Sequence, residues 1–224
     1  MATRESRTRE VLIDASPDCQ LRGRLSLPPI SLGVTVMLCD GGPRAAAERF
    51  IAASLETDGC ATLCVRLTSE LTEPASSAPP VRGNLEVLAA RLVAVTEWLS
   101  QNPDMQPMNI GYFASGPASA AAFLAAARAP DYIDAIVAVV GRPDLAGDDL
   151  DQVRAATLLV TIDNAANLEI NRRALARLRT EKSLALVSTT VSLFDDPVAL
   201  KRVAELSSKW FVNHLMQGSH SIPA

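Results

Sequence analysis

Residues 110–128 read I-G-Y-F-A-S-G-P-A-S-A-A-A-F-L-A-A-A-R, and this junction constrains the fold more than any other stretch. Its first part is a continuous apolar run, the pattern of a strand buried on both faces rather than one. Gly116-Pro117 then turns the chain, with proline near the start of a helix, where its missing N–H costs nothing. Seven alanines follow within residues 118–127, a helix able to approach its neighbours closely. A buried strand leading directly into a buried helix requires a sheet covered by helices, and so a mostly parallel one.

The rest of the chain repeats the alternation. Residues 34–39 and 61–65 are apolar runs that flank an amphipathic helix candidate at 44–55. Residues 133–140, 155–162 and 183–188 read as further strands. Asn84 is placed as the cap of a helix over 84–100, with Leu85, Leu88, Leu92, Val95 and Leu99 forming one apolar face that marks core contact. A helix is expected over 168–179, where Arg172, Arg173, Arg177 and Arg179 form a solvated face without the glycine-rich turn that cradles phosphate. Asp196-Pro197 opens a last amphipathic helix. Upstream, residues 11–14 and 20–27 make an antiparallel hairpin around Ala15-Ser16-Pro17-Asp18. The expected organisation is a flexible start over 1–10, one domain over 11–216, and a flexible tail over 217–224. Residues 67–83 are irregular and read as a surface loop, with a lid as the alternative.

Composition narrows the function classes. Apolar residues make up 48% of the chain and aromatics only 4%, so the core is built from Ala, Val and Leu, as in sheets packed on helices. A net charge of -4 provides no basic field for nucleic acid or anionic membranes, and no apolar stretch is long enough to span a bilayer. A soluble, cytoplasmic protein is expected, of undetermined oligomeric state. Cys19, Cys39, Cys60 and Cys64 form no C-x-x-C pair and fit a reduced compartment. No metal and no cofactor are expected, because the two histidines, His214 and His220, lie at the C-terminal end without a cysteine cluster.

Four stretches carry a family resemblance: Ile110-Gly111-Tyr112-Phe113, residues 141–147 (G-R-P-D-L-A-G), residues 168–175 (L-E-I-N-R-R-A-L), and Leu193-Phe194-Asp195-Asp196-Pro197. Between about residue 108 and residue 215 the chain resembles the dienelactone hydrolase-like branch of the α/β-hydrolases, including its stand-alone and phosphoribosyltransferase-fused bacterial forms. The first half resembles the family only in element order. The resemblance implies an α/β-hydrolase fold: about eight strands, mostly parallel, with the first hairpin antiparallel and helices on both faces.

It also implies a serine nucleophile on a strand-to-helix elbow, then a carboxylate, then a histidine. Those positions fall on Gly116, Asn164 and Ser192, none of which retains the required side chain. Ser115, one residue early, reads as a turn serine. Asp163 could replace the carboxylate, but no histidine precedes His214, which is expected on a solvated helix face. Asp40 stands where the resemblance implies a histidine of an oxyanion-side His-Gly pair, and a negative charge there opposes a developing oxyanion.

The leading expectation is a non-hydrolytic pseudoenzyme: a small-molecule binder, regulator or protein-interaction module. Its candidate pocket comprises Cys39, Asp40, Gly41, Gly42, Ser115, Gly116, Asp163, Asn164 and Ser192. The alternative is a lyase, isomerase or cyclase in a biosynthetic pathway, with Cys39, Asp40, Asp163 and Ser192 as acids, bases or donors. An atypical esterase comes third.

Overall fold

In the computed structural model, residues 6–31, 33–39, 42–68, 81–105 and 108–215 are described. The apolar runs become β3 (Val34–Leu38), β4 (Ala61–Val65), β5 (Ile110–Ser115), β6 (Ile133–Val139), β7 (Ala156–Ile162) and β8 (Lys182–Val187), all mutually parallel where they pair. The N-terminal hairpin, β1 (Arg7–Ser16) and β2 (Cys19–Leu27), pairs antiparallel and joins the sheet by an antiparallel ladder between β2 and β4. The strand order is β1-β2-β4-β3-β5-β6-β7-β8.

Helices α1 (Ala45–Thr57), α2 (Val81–Gln101), α3 (Ala118–Arg128), α4 (Ala165–Arg177) and α5 (Pro197–Leu215) cover both faces. One core layer unites the sheet with α2, α3 and α4 through residues such as Leu92, Phe123 and Ala174. The second lies beneath α1 and α5, around Ile51, Leu55, Val203 and Phe211. In α3, Ser119 to Ala126 are all buried, and its small side chains let it lie close against both the sheet and α2. Two glycines admit large neighbours: a Cβ on Gly111 would stand 2.6 Å from the Phe211 ring, and one on Gly33 would stand 2.7 Å from Leu215.

This topology places a crevice. The chain leaves β3 through α1 to β4 on one side, then crosses through α2 to β5 on the other side of β3. Because α1 and α3 lie on opposite faces, the connections leaving the carboxyl ends of β3 and β5 diverge. Ligands of open parallel sheets bind at this kind of switch point.

Several boundaries differ from those the sequence suggests. Pairing begins at Arg7, opposite Leu27, so Arg7 and Arg9 belong to an exposed edge strand and not to a frayed start. Charged side chains suit such an edge because they discourage pairing with another chain. Asn84 lies inside α2, which starts at Val81, so it is not the cap: an amide tolerated within a helix was read as its boundary. Residues 69–80 lie outside the described residues, and with them most of the stretch expected to be loop or lid. α4 starts at Ala165, capped by Asn164, and Pro143–Gln152 forms 3-10 turns bent at Gly147, which has φ 60°. The arginine face of α4 is laced by ion pairs, Arg173 with Glu169 and Arg177 with Asp148 and Asp151. Among the described residues no helix is long and apolar enough to cross a membrane.

Candidate functional site

The elbow begins where β5 ends. Gly116 has φ +58°, a left-handed conformation that disfavours any residue with a Cβ. Its N–H donates to Val139 O at 3.0 Å, anchoring the turn to β6. Pro117 follows as the N-cap of α3 and has no N–H to offer. The Ser119 and Ala120 N–H groups point back to the Gly116 and Pro117 carbonyls. The backbone donors of this helix start are therefore mostly consumed within the turn.

Ser119, which sequence reasoning passed over among the alanines, ties the elbow to the next loop. Its buried hydroxyl donates to Gly116 O at 2.8 Å and accepts from the Arg142 N–H at 2.9 Å. The loop comes this close because residue 141 is glycine: a Cβ there would stand 2.6 Å from the Ser119 Oγ. Just before it, Val140 holds φ 45°, an uncommon conformation for a β-branched residue and a point of local strain. Arg142 closes its own loop with a two-point ion pair to Asp144, 2.8 and 2.7 Å, which holds the Asp144 carboxyl below its ordinary range.

Arg44, just before α1, was expected only as the start of that helix. Its guanidinium instead reaches the elbow: a Cβ built on Gly116 would stand 3.5 Å from its Nη1. The same guanidinium lies over the Phe194 ring, 5.2 Å from its centre, in cation–π geometry. Phe194 comes from the β8–α5 connection, so three connections leaving carboxyl ends converge here: those after β3, β5 and β8. Arg44 makes no ion pair with any described residue. The sequence signal that could have found it is slight, an arginine two residues beyond a glycine pair at a strand exit.

The remaining candidates are distributed along this same edge. Ser115 is buried at the end of β5 and does not stand proud of the turn. Asn164 is exposed, and its side chain is occupied in capping α4, accepting from Ala166 N at 3.1 Å and Asn167 N at 3.2 Å. Asp163 beside it is exposed, as is Ser192, whose carbonyl accepts from Asp195 N. Gly42 is exposed after β3, while Asp40 and Gly41 lie outside the described residues. Cys39 lies beneath, hydrogen-bonded to Cys64, and with burial and the nearby Glu48 its thiol is pushed far above its ordinary range. Such a thiol stays protonated and is a poor nucleophile at neutral pH.

His214 is not on a solvated face. Its side chain is only 15% exposed, stacked near Trp210, with Nδ1 2.7 Å from Trp210 O and Nε2 3.2 Å from Glu181. Helical periodicity alone could not reveal that this face of α5 packs against the sheet margin. Glu181 precedes β8 and Trp210 donates to Ala156 O at the start of β7, so His214 sits at the amino edge, opposite the elbow. His220 lies outside the described residues.

A mostly parallel eight-stranded sheet with an antiparallel first hairpin, helices on both faces and a strand–turn–helix elbow at the switch point define an α/β-hydrolase fold. The chain belongs to the dienelactone hydrolase-like branch of that fold: it is 33% identical to a dienelactone hydrolase of Anabaena variabilis, TM-score 0.84, over 94% of this chain and 99% of that one. A dienelactone hydrolase-like promiscuous phosphotriesterase from metagenomic libraries shares the fold at TM-score 0.74 and 17% identity, over 94% of this chain and 99% of that one. Two strains of Mycobacterium tuberculosis carry a protein named provisionally as a phosphoribosyl transferase that is 35% identical over 212 residues, 93% of this chain. The chain spans about half the length of these curated relatives, 47%. No family model matches it.

Proposed function

We propose that the protein is a non-hydrolytic member of its family that binds a small molecule at the elbow crevice, as a binder or regulator. The observation that carries this reading is the elbow itself: Gly116 occupies the apex with φ +58°, and Pro117 follows it. In this fold the apex side chain is the nucleophile, and the next residue's N–H is an oxyanion donor. Glycine provides no nucleophile, and proline provides no N–H.

The surroundings support the same reading. The Asn164 side chain is engaged with its own helix, Ser192 is exposed, and His214 lies at the opposite edge of the sheet. General-base activation near neutral pH would then fall to a carboxylate or thiol, and Cys39 is poorly suited. The activity in the mycobacterial name is not carried over, since this chain matches less than half of those proteins.

The test is ester turnover and ligand recovery on the same preparation. Hydrolysis of p-nitrophenyl acetate should stay at the uncatalysed background. Turnover that disappears with Ser115→Ala or Cys39→Ala overturns the reading. Mass spectrometry of co-purifying small molecules should recover a ligand from the native protein and lose it in Gly116→Trp.

A further inference from the structure

The cation at the elbow narrows what the crevice can hold. Arg44 projects from the start of α1 into the volume that a side chain at residue 116 would enter, 3.5 Å from a Cβ built there. It is steered to that position by the face of Phe194, 5.2 Å away, rather than by a carboxylate. The contrast with its neighbours is informative. Arg142, on the adjacent loop, is held by Asp144, and Arg177 by Asp148 and Asp151, whereas Arg44 pairs with no described acid.

A guanidinium over an aromatic ring keeps its edge donors pointed outward, and a fork of N–H groups matches the two oxygens of a carboxylate or the oxygens of a phosphoryl group. The α3 start adds little, because its N–H groups turn back to Gly116 O, Pro117 O and Val139 O. Anion recognition at this place would fall to the arginine. The space it faces is open because residue 116 is glycine: any larger apex side chain would project towards the guanidinium.

Resting on the reading of this crevice as a small-molecule site, we propose that its ligand is an anionic small molecule, bound through a carboxylate or phosphoryl group to Arg44 above Gly116, with Phe194 fixing the guanidinium. Arg44 thus stands in the nucleophile's place as the group that meets the ligand.

The test is titration of the protein with benzoate, inorganic phosphate and the neutral isostere benzamide, followed by amide NMR shifts at Gly111 to Ser119 and by calorimetry. Benzoate or phosphate should bind and benzamide should not, with affinity falling as salt rises. Arg44→Gln should weaken the anion by about tenfold or more, the value of a lost charge-assisted hydrogen bond, while Arg44→Lys retains part of it. Which of benzoate and phosphate binds more tightly distinguishes the carboxylate from the phosphoryl source. Arg44 is exposed, so Arg44→Gln should fold, as far-UV circular dichroism would verify. Equal binding of benzamide and benzoate, unchanged by Arg44→Gln, overturns the anion assignment and leaves the small-molecule reading standing. Absence of shifts at the elbow with all three probes removes the anion assignment; an empty native preparation in the ligand-recovery experiment is what removes the broader reading.

Discussion

At Gly116 one residue determines both a backbone conformation and a chemical capability. With φ +58°, any L side chain is strained, whereas a Cβ itself would meet only the Arg44 guanidinium at an ordinary 3.5 Å. The cost of Gly116→Ser is thus a backbone cost, about 1–2 kcal/mol for a non-glycine residue in the left-handed region. Urea unfolding should show that loss, and on the proposed reading p-nitrophenyl acetate should still not be turned over, because Pro117 supplies no N–H after the new serine. An esterase created by this single change would reveal a base among the residues assigned no such role. Ser119 and Gly141 form the complementary pair at this scale: a hydroxyl that links two loops, and a glycine whose only requirement is to leave it room.

Among the elements, β5 and α5 depend on each other through a lock and its vacancy. Gly111 lacks a side chain where the Phe211 ring lies, and that ring is fully buried. Phe211→Ala should cost about 3–5 kcal/mol, the usual range for emptying a buried aromatic site. Gly111→Ala should be severely destabilising in the native background but much milder when combined with Phe211→Ala, because the second change removes the clash. Chemical denaturation of the two single variants and the double variant measures this coupling, and simple additivity would show that the sheet shifts to accommodate the methyl group. The helix starts differ in kind: α5 is capped by Asp196 and α4 by Asn164, whereas α3 opens on Pro117 with no side-chain cap. The starts of α1 and α3, which both face the crevice, are the ones that open without a capping side chain.

For the molecule as a whole, acid is the predicted weakness. Asp196, Asp144 and Asp151 all have carboxyls held below their ordinary value of 3.8: the first by the N–H groups opening α5, the others by Arg142 and Arg177. A depressed folded-state pKa means the unfolded chain binds protons first, so this stability is complete above about pH 4 and is lost as pH falls through the folded values. Guanidinium midpoints should hold above about pH 4 and drop as pH falls below it, and Asp196→Asn should flatten part of that slope while keeping a capping acceptor. A midpoint independent of pH over that range would show that these ion pairs and caps persist in the unfolded chain. The sheet, its parallel sense and most of its helices were legible because burial on both faces writes a continuous apolar run, and a strand–turn–helix junction writes its glycine and proline locally. The misplaced boundaries at Arg7 and at the start of α4 fall where exposed residues extend an element at no cost in burial, so no apolar signal marks them. The site divides in the same way. What Gly116, Pro117, Asn164 and Ser192 lack is a covalent property of each residue, readable from the sequence alone. That Arg44 reaches across to the elbow and Phe194 supports it, or that His214 sits at the far edge, was decided only by the tertiary structure, because the first contacts join the loops after β3, β5 and β8 and the last joins α5 to the residue before β8, segments that sequence order keeps apart.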